Sequence, residues 1–124
     1  MRERPGEAQT VAPAEPFAGL TGRGVSIAVI DSGVHSGHGH ITASRLDPGA
    51  MVLPDGAIVE GEGVWLDKLG HGTAVTAAIQ EKAPEARCIP VRVFRDALKA
   101  SAASLIAAIR WSVARDVDLS LIHI

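Results

Sequence analysis

The chain has 124 residues, of which 47% are apolar and 21% are charged, and its formal net charge is −2. This composition excludes an intrinsically disordered protein, and the length fits one small domain or part of a larger one. The small net charge, without a block of basic residues, excludes the electrostatic pattern of a nucleic-acid-binding protein. A single cysteine, Cys88, excludes an internal disulfide, and its apolar neighbours predict a buried thiol.

The first 20 residues contain three prolines among Ala, Glu and Gln, which predicts a flexible lead-in over residues 1–20. This segment has no apolar stretch of the length that a secretory signal requires. No segment of the chain reaches the roughly 18 apolar residues of a membrane span. We therefore expect no membrane partner and a cytoplasmic location, provided that Met1 is the true start.

Several apolar segments predict strands. Val25 to Ile30 is short and rich in β-branched residues, which is typical of a strand buried on both faces of a parallel sheet. Residues 51–61 surround a Pro-Asp-Gly turn and predict a surface hairpin. Residues 87–94 predict a further strand, in which Pro90 favours an edge position or a bulge. Residues 117–124 predict a last strand.

Two segments predict helices. The first begins at His71 and ends before Pro84, and the second covers residues 101–116, with Ser101 or Ser104 as its N-cap. The predicted face of the first helix consists of Val75, Ala78, Ile79 and Lys82. The predicted face of the second consists of Leu105, Ile106, Ile109, Ser112 and Val113. The order strand, hairpin, helix, strand, helix, strand predicts an α/β fold with a mostly parallel sheet flanked by helices.

Two polar positions stand where chemistry is expected in such a sheet. Asp31 follows the first strand directly, and Gly33 allows the chain to turn sharply there; Asp-Ser-Gly alone is equally typical of a simple turn. His71 lies between Gly70 and Gly72 at the start of a helix, where the helix dipole disfavours its protonated form and so favours a neutral general base. Because strand ends and helix starts meet at the carboxyl edge of the sheet, we expect Asp31 and His71 to lie together.

These segments resemble those of a known family. Asp31-Ser32-Gly33 after an apolar strand, and His71-Gly72-Thr73 opening a helix, are similar to the corresponding segments of the subtilisin-like serine proteases. The resemblance extends over residues 21–118, the first part of such a peptidase domain. It implies a subtilisin-like fold, a polypeptide substrate, hydrolysis of peptide bonds and no cofactor. It also implies that Asp31 orients the imidazole and that His71 is the general base of an Asp-His-Ser triad.

The sequence departs from the family at the nucleophile. The family's Gly-Thr-Ser-Met-Ala-like segment does not occur, and no asparagine is present to form the family's oxyanion hole. Ser101 and Ser104 open a helix without glycine neighbours, so neither is expected to be the nucleophile. We therefore expect this chain to be the N-terminal part of a catalytic domain and to be inactive alone. Residues 119–124 match a translated transposon-derived sequencing adapter, and we interpret them as a non-native tail.

Two alternatives concern metal and function. His35, His38 and His40 include a His-x-His pair, but the residues that follow do not continue a familiar metal motif, so we interpret them as polar loop residues and expect no metal site. His40 also stands where subtilisins commonly have an acidic residue that helps to bind calcium, and this departure weakens the expectation of a calcium site that the resemblance would otherwise imply. A non-catalytic binding or scaffold module of the same family remains the alternative to an endopeptidase.

Overall fold

Five strands and two α-helices form the part of the chain that the computed structural model describes, residues 18–123. Most of the predicted lead-in, residues 1–17, lies outside the described residues. The strands are β1 (Ser26–Asp31), β2 (Ala50–Val52), β3 (Ile58–Glu60), β4 (Arg87–Arg92) and β5 (Leu119–Ile122). The helices are α1 (His71–Lys82) and α2 (Ala102–Ala114), and a 3-10 helix covers Ala43–Arg45.

The sheet is mixed and mostly parallel, in the order β3-β2-β4-β1-β5. Strand β1 runs parallel to both β4 and β5, β2 runs parallel to β4, and only β3 is antiparallel to its neighbour β2. The predicted α/β fold with a mostly parallel sheet is thereby confirmed. The predicted hairpin is confirmed as well: it consists of β2 and β3, and it joins the rest of the sheet through the pairing of β2 with β4.

Strand β1 lies inside the sheet with its side chains alternating between two cores. Ile27 and Val29 pack with Cys88 in the core beneath α1, whereas Ala28 and Ile30 pack in the core beneath α2. The two helices therefore cover opposite faces of the sheet, as the continuous apolar run predicted. Cys88 is fully buried, and this burial raises the pKa of its thiol to about 11.

Pro90 was predicted to mark either an edge position or a bulge, and the edge position is wrong, because β4 pairs with β1 on one side and with β2 on the other. Pro90 is tolerated because the pairing with β2 is interrupted beside it. An isolated bridge joins Leu46 to Cys88, and regular pairing with β2 begins only at Val91. The missing amide hydrogen of Pro90 therefore costs no ladder bond to β2.

The predicted helix faces are confirmed only in part, since Val75 and Ile79 of α1 pack against one core, Leu105 of α2 packs against the other, and Ser112 is buried. In α1 the buried residues are Gly72, Thr73, Thr76 and Gln80, while Ala78 and Lys82 are exposed. In α2 the buried residues are Ser104, Ala108 and Ser112, while Ile106, Ile109 and Val113 are exposed. Small residues let α2 approach the sheet closely, and the two buried serine hydroxyls of α2 are hydrogen-bonded, as where the Ser112 hydroxyl donates to the Ala108 carbonyl oxygen at 2.8 Å.

The start of α2 agrees with its predicted cap. Ser101 is the N-cap, and its hydroxyl oxygen accepts a hydrogen bond from the Ser104 amide at 3.0 Å. Within residues 18–123, neither helix combines the length and the apolar character needed to cross a membrane.

Candidate active site

Asp31 is the last residue of β1 and lies at the carboxyl end of the central part of the sheet. Only 2% of its surface is exposed, so its carboxylate needs hydrogen-bond donors from the protein. The backbone amide of Ser32 donates to Asp31 Oδ1 at 2.7 Å. The remaining bonds of the carboxylate come from His71.

His71 is the first residue of α1, and the structure brings it onto Asp31. The distances from His71 Nδ1 to Asp31 Oδ2 and Oδ1 are 2.8 Å and 2.9 Å. Because an ionised carboxylate can only accept, Nδ1 carries the hydrogen, and in the neutral imidazole Nε2 then keeps its lone pair. About a third of the His71 side chain, 35%, is exposed, and no hydrogen bond engages Nε2 within the described part of the chain. The imidazole can therefore accept a proton at Nε2 from a group outside.

The loop after β1 also contacts the backbone of α1 directly. The hydroxyl oxygen of Ser32 accepts a hydrogen bond from the Gly72 amide at 2.8 Å, which satisfies one of the unpaired amides at the helix start. A Cβ atom built on Gly72 would lie 2.1 Å from the Gly33 carbonyl oxygen. Only glycine at position 72 permits this approach. The close contact between the loop after β1 and the start of α1 therefore depends on the glycine of the His-Gly-Thr motif.

A second buried carboxylate, Asp67, belongs to the site and was not singled out from the sequence. It is 8% exposed and lies four residues before His71. Burial by itself would raise its pKa, but hydrogen bonds from Thr73, the Gly70 amide, Ser32 and the Leu69 amide outweigh this and leave the pKa lowered. An acidic residue shortly before a predicted helix start is the signal that could have identified it.

The three histidines of the predicted polar loop lie on the surface. His35, His38 and His40 are all exposed, and the ring centroids of His38 and His40 are 5.3 Å apart. His38 Nδ1 accepts a hydrogen bond from the His40 amide at 3.1 Å, so this lone pair already has a partner. Over residues 18–123 no group of three His, Cys, Asp or Glu side chains is arranged to hold a metal ion.

Neither of the two serines at the start of α2 lies ready to act as a nucleophile. The Ser101 hydroxyl donates to the Pro54 carbonyl oxygen at 2.6 Å, and the Ser104 hydroxyl donates to the Ser101 carbonyl oxygen at 2.8 Å. Both serines belong to the helix on the face of the sheet opposite α1. Their hydroxyls are engaged in capping α2 rather than in contact with His71.

The end of the described chain reaches the candidate site. The imidazole of His123 lies against that of His71, with ring centroids 4.2 Å apart, and edge-on to Phe94 at 5.8 Å. Residues 119–122 form β5 and pair with β1. Their interpretation as a non-native tail stays a prediction, because a strand pairs through backbone groups that every sequence carries.

No protein-family model matches the chain, and no curated protein is significantly similar to it in sequence.

Proposed function

We propose that this chain is the N-terminal part of the catalytic domain of a subtilisin-like serine endopeptidase, with Asp31 as the orienting acid and His71 as the general base. One observation carries the proposal. The His71 imidazole donates through Nδ1 to a nearly fully buried carboxylate at 2.8 Å, and within the described residues no hydrogen bond engages its Nε2. This is the arrangement that a serine-activating histidine requires.

The geometry fits both halves of acyl transfer. In the first half, His71 Nε2 accepts the proton of a serine hydroxyl while the serine oxygen attacks the scissile carbonyl carbon. The same proton then passes from Nε2 to the leaving amine as the peptide bond breaks. In the second half, Nε2 accepts a proton from water while the water oxygen attacks the acyl carbon, and this proton returns to the serine oxygen as the acid is released. Asp31 keeps Nδ1 protonated and stabilises the imidazolium that forms between these transfers.

The proposal places the serine and the oxyanion donors outside these 124 residues, since the chain has no Gly-Thr-Ser segment and no asparagine. Asp31 precedes His71 along the chain, as the acid precedes the base in the Asp, His, Ser order of the subtilisin-like arrangement. The glycine at position 72 supports the same proposal, because a Cβ atom there would lie 2.1 Å from the Gly33 carbonyl oxygen and would separate the loop after Asp31 from the helix that begins at His71.

The test uses the complete reading frame of the gene, expressed and treated with a fluorophosphonate probe that labels activated serines. We expect labelling of the native protein and its loss in His71→Ala. Asp31→Asn should reduce turnover of a peptide substrate by roughly 10⁴-fold, because the imidazole then has the wrong tautomer. His38→Ala, which removes an exposed imidazole from the neighbouring loop, is the matched control and should label normally.

Labelling that survives His71→Ala would refute the assignment of the base. If the complete frame encodes no serine segment of the family's kind and takes no label, the alternative of a non-catalytic binding or scaffold module is favoured instead.

A further inference from the structure

The buried carboxylate of Asp67 accepts hydrogen bonds from residues that precede His71 in the sequence and from a residue that follows it. Its Oδ1 accepts from the amides of Leu69 and Gly70 at 2.8 Å and 2.9 Å. Its Oδ2 accepts from the amide of Thr73 at 3.0 Å and from the Thr73 hydroxyl. One side chain thus fixes the turn that leads into α1 and the first turn of the helix itself.

The backbone around His71 has few other constraints. Gly70, the N-cap of α1, has no side chain that could cap the helix. Its φ is 94°, and glycine can adopt many other backbone conformations besides this one. The first amides of a helix need acceptors from outside the helix. Ser32 serves Gly72 and Asp67 serves Thr73, so these two side chains set where the helix begins and hence where the His71 side chain points.

The same carboxylate is linked to the loop that carries Asp31. The Thr73 hydroxyl donates to Asp67 and accepts a hydrogen bond from the His35 amide at 2.9 Å. His35 follows Asp31 by four residues. The chain of bonds from Asp67 through Thr73 to His35 therefore holds the end of β1 against the start of α1.

We propose that Asp67 is a positioning residue for His71, which keeps Nδ1 of the imidazole on the Asp31 carboxylate. The catalytic meaning of this role rests on the proposed function, whereas the positioning itself does not. An Asp67 that only capped α1 would affect the stability of the helix and leave the state of the His71 ring unchanged. The lowered pKa of Asp67 supports an ionised acceptor at neutral pH.

The test is ¹⁵N nuclear magnetic resonance of the full 124-residue chain at pH 8, which reports the tautomer of each histidine ring. We expect His71 to carry its hydrogen on Nδ1, with a strongly downfield proton resonance. In Asp67→Asn the ratio of the Nδ1–H to the Nε2–H tautomer should fall by about tenfold or more, as expected when one hydrogen bond to a charged group is lost. Asp55→Asn, which alters a carboxylate in the β2–β3 turn, is the matched control and should leave the ratio unchanged.

An unchanged His71 tautomer in a folded Asp67→Asn variant would overturn the proposal, and so would a variant in which only the titration midpoint of His71 moves. If Asp67→Asn does not fold, Thr73→Val and Thr73→Ser decide instead, since only serine keeps the hydroxyl that joins Asp67 to the loop. Equal tautomer ratios in these two variants would then overturn the proposal. Failure of fluorophosphonate labelling in the complete protein would refute the protease and leave this result intact.

Discussion

Substituting Gly72 by alanine tests whether backbone contact holds the candidate site together. In an ordinary helix this change would stabilise the protein by up to about 1 kcal/mol. Here the new Cβ would lie 2.1 Å from the Gly33 carbonyl oxygen and 3.0 Å from the Gly33 nitrogen. Both are backbone atoms, so α1 and the loop after β1 must separate by roughly 1 Å to reach a normal contact.

This separation should reverse the sign of the usual effect. We expect Gly72→Ala to lower the free energy of unfolding by about 1–3 kcal/mol, the usual cost of overpacking, and to lengthen the hydrogen bond between His71 and Asp31. Urea denaturation followed by circular dichroism measures the first effect. Gly39→Ala is the control, because a Cβ there meets nothing within 4 Å. A Gly72→Ala variant as stable as the native chain, or more stable, would refute the reasoning.

Three further predictions concern a thiol, a cap and a carboxylate. Cys88 should resist alkylation by iodoacetamide at pH 8 in the native chain and react in urea, since burial excludes the reagent and raises the thiol pKa to about 11; rapid native labelling would contradict this. Ser101→Ala should lower the free energy of unfolding by about 1 kcal/mol in urea titrations, because the Ser104 amide loses its acceptor. The pKa of Asp67 is lowered from 3.8, so its stabilising effect should be present above about pH 4 and should be lost as the pH falls further through the folded-state pKa. Urea titrations from pH 7 to pH 2 should therefore show a smaller acid loss of stability in Asp67→Asn, and equal losses in both proteins would argue against the lowered pKa.

The sequence was sufficient to predict the order of the helices and strands and the proximity of Asp31 to His71. Strand periodicity and glycine placement are local signals, and the carboxyl edge of a parallel sheet gathers strand ends and helix starts whatever the details of packing. Such local signals could not predict whether the strand of Pro90 lies at the edge of the sheet or inside it. Whether a proline lies at an edge depends on which distant segment pairs beside it, and here the interruption comes from residues 46–50.

The buried faces of the helices were predicted only in part for a related reason. Apolar spacing grouped Ile109 and Val113 with Ser112, but of these three only Ser112 is inside, together with Ser104, because the small size of serine permits close packing and its hydroxyl bonds to the helix backbone. Asp67 escaped notice because its four donors become neighbours only after the turn before α1 has formed. Polar residues that are satisfied locally leave no trace in a pattern of hydrophobicity.

The pairing of β5 with β1 has a consequence for self-association. Strand β1 is paired on one side with β4 and on the other with β5, and five of its six residues are buried. A variant that stops at Asp118 would move the open edge of the sheet from the four residues of β5 to the six residues of β1, and would leave amides and carbonyls of β1 unpaired beside apolar side chains. Such an edge is a template for another extended chain, so this shorter variant should form oligomers at concentrations where the 124-residue chain stays dispersed. Residues 119–122 would then shield the edge of β1 from other chains, whether or not they are native to the protein.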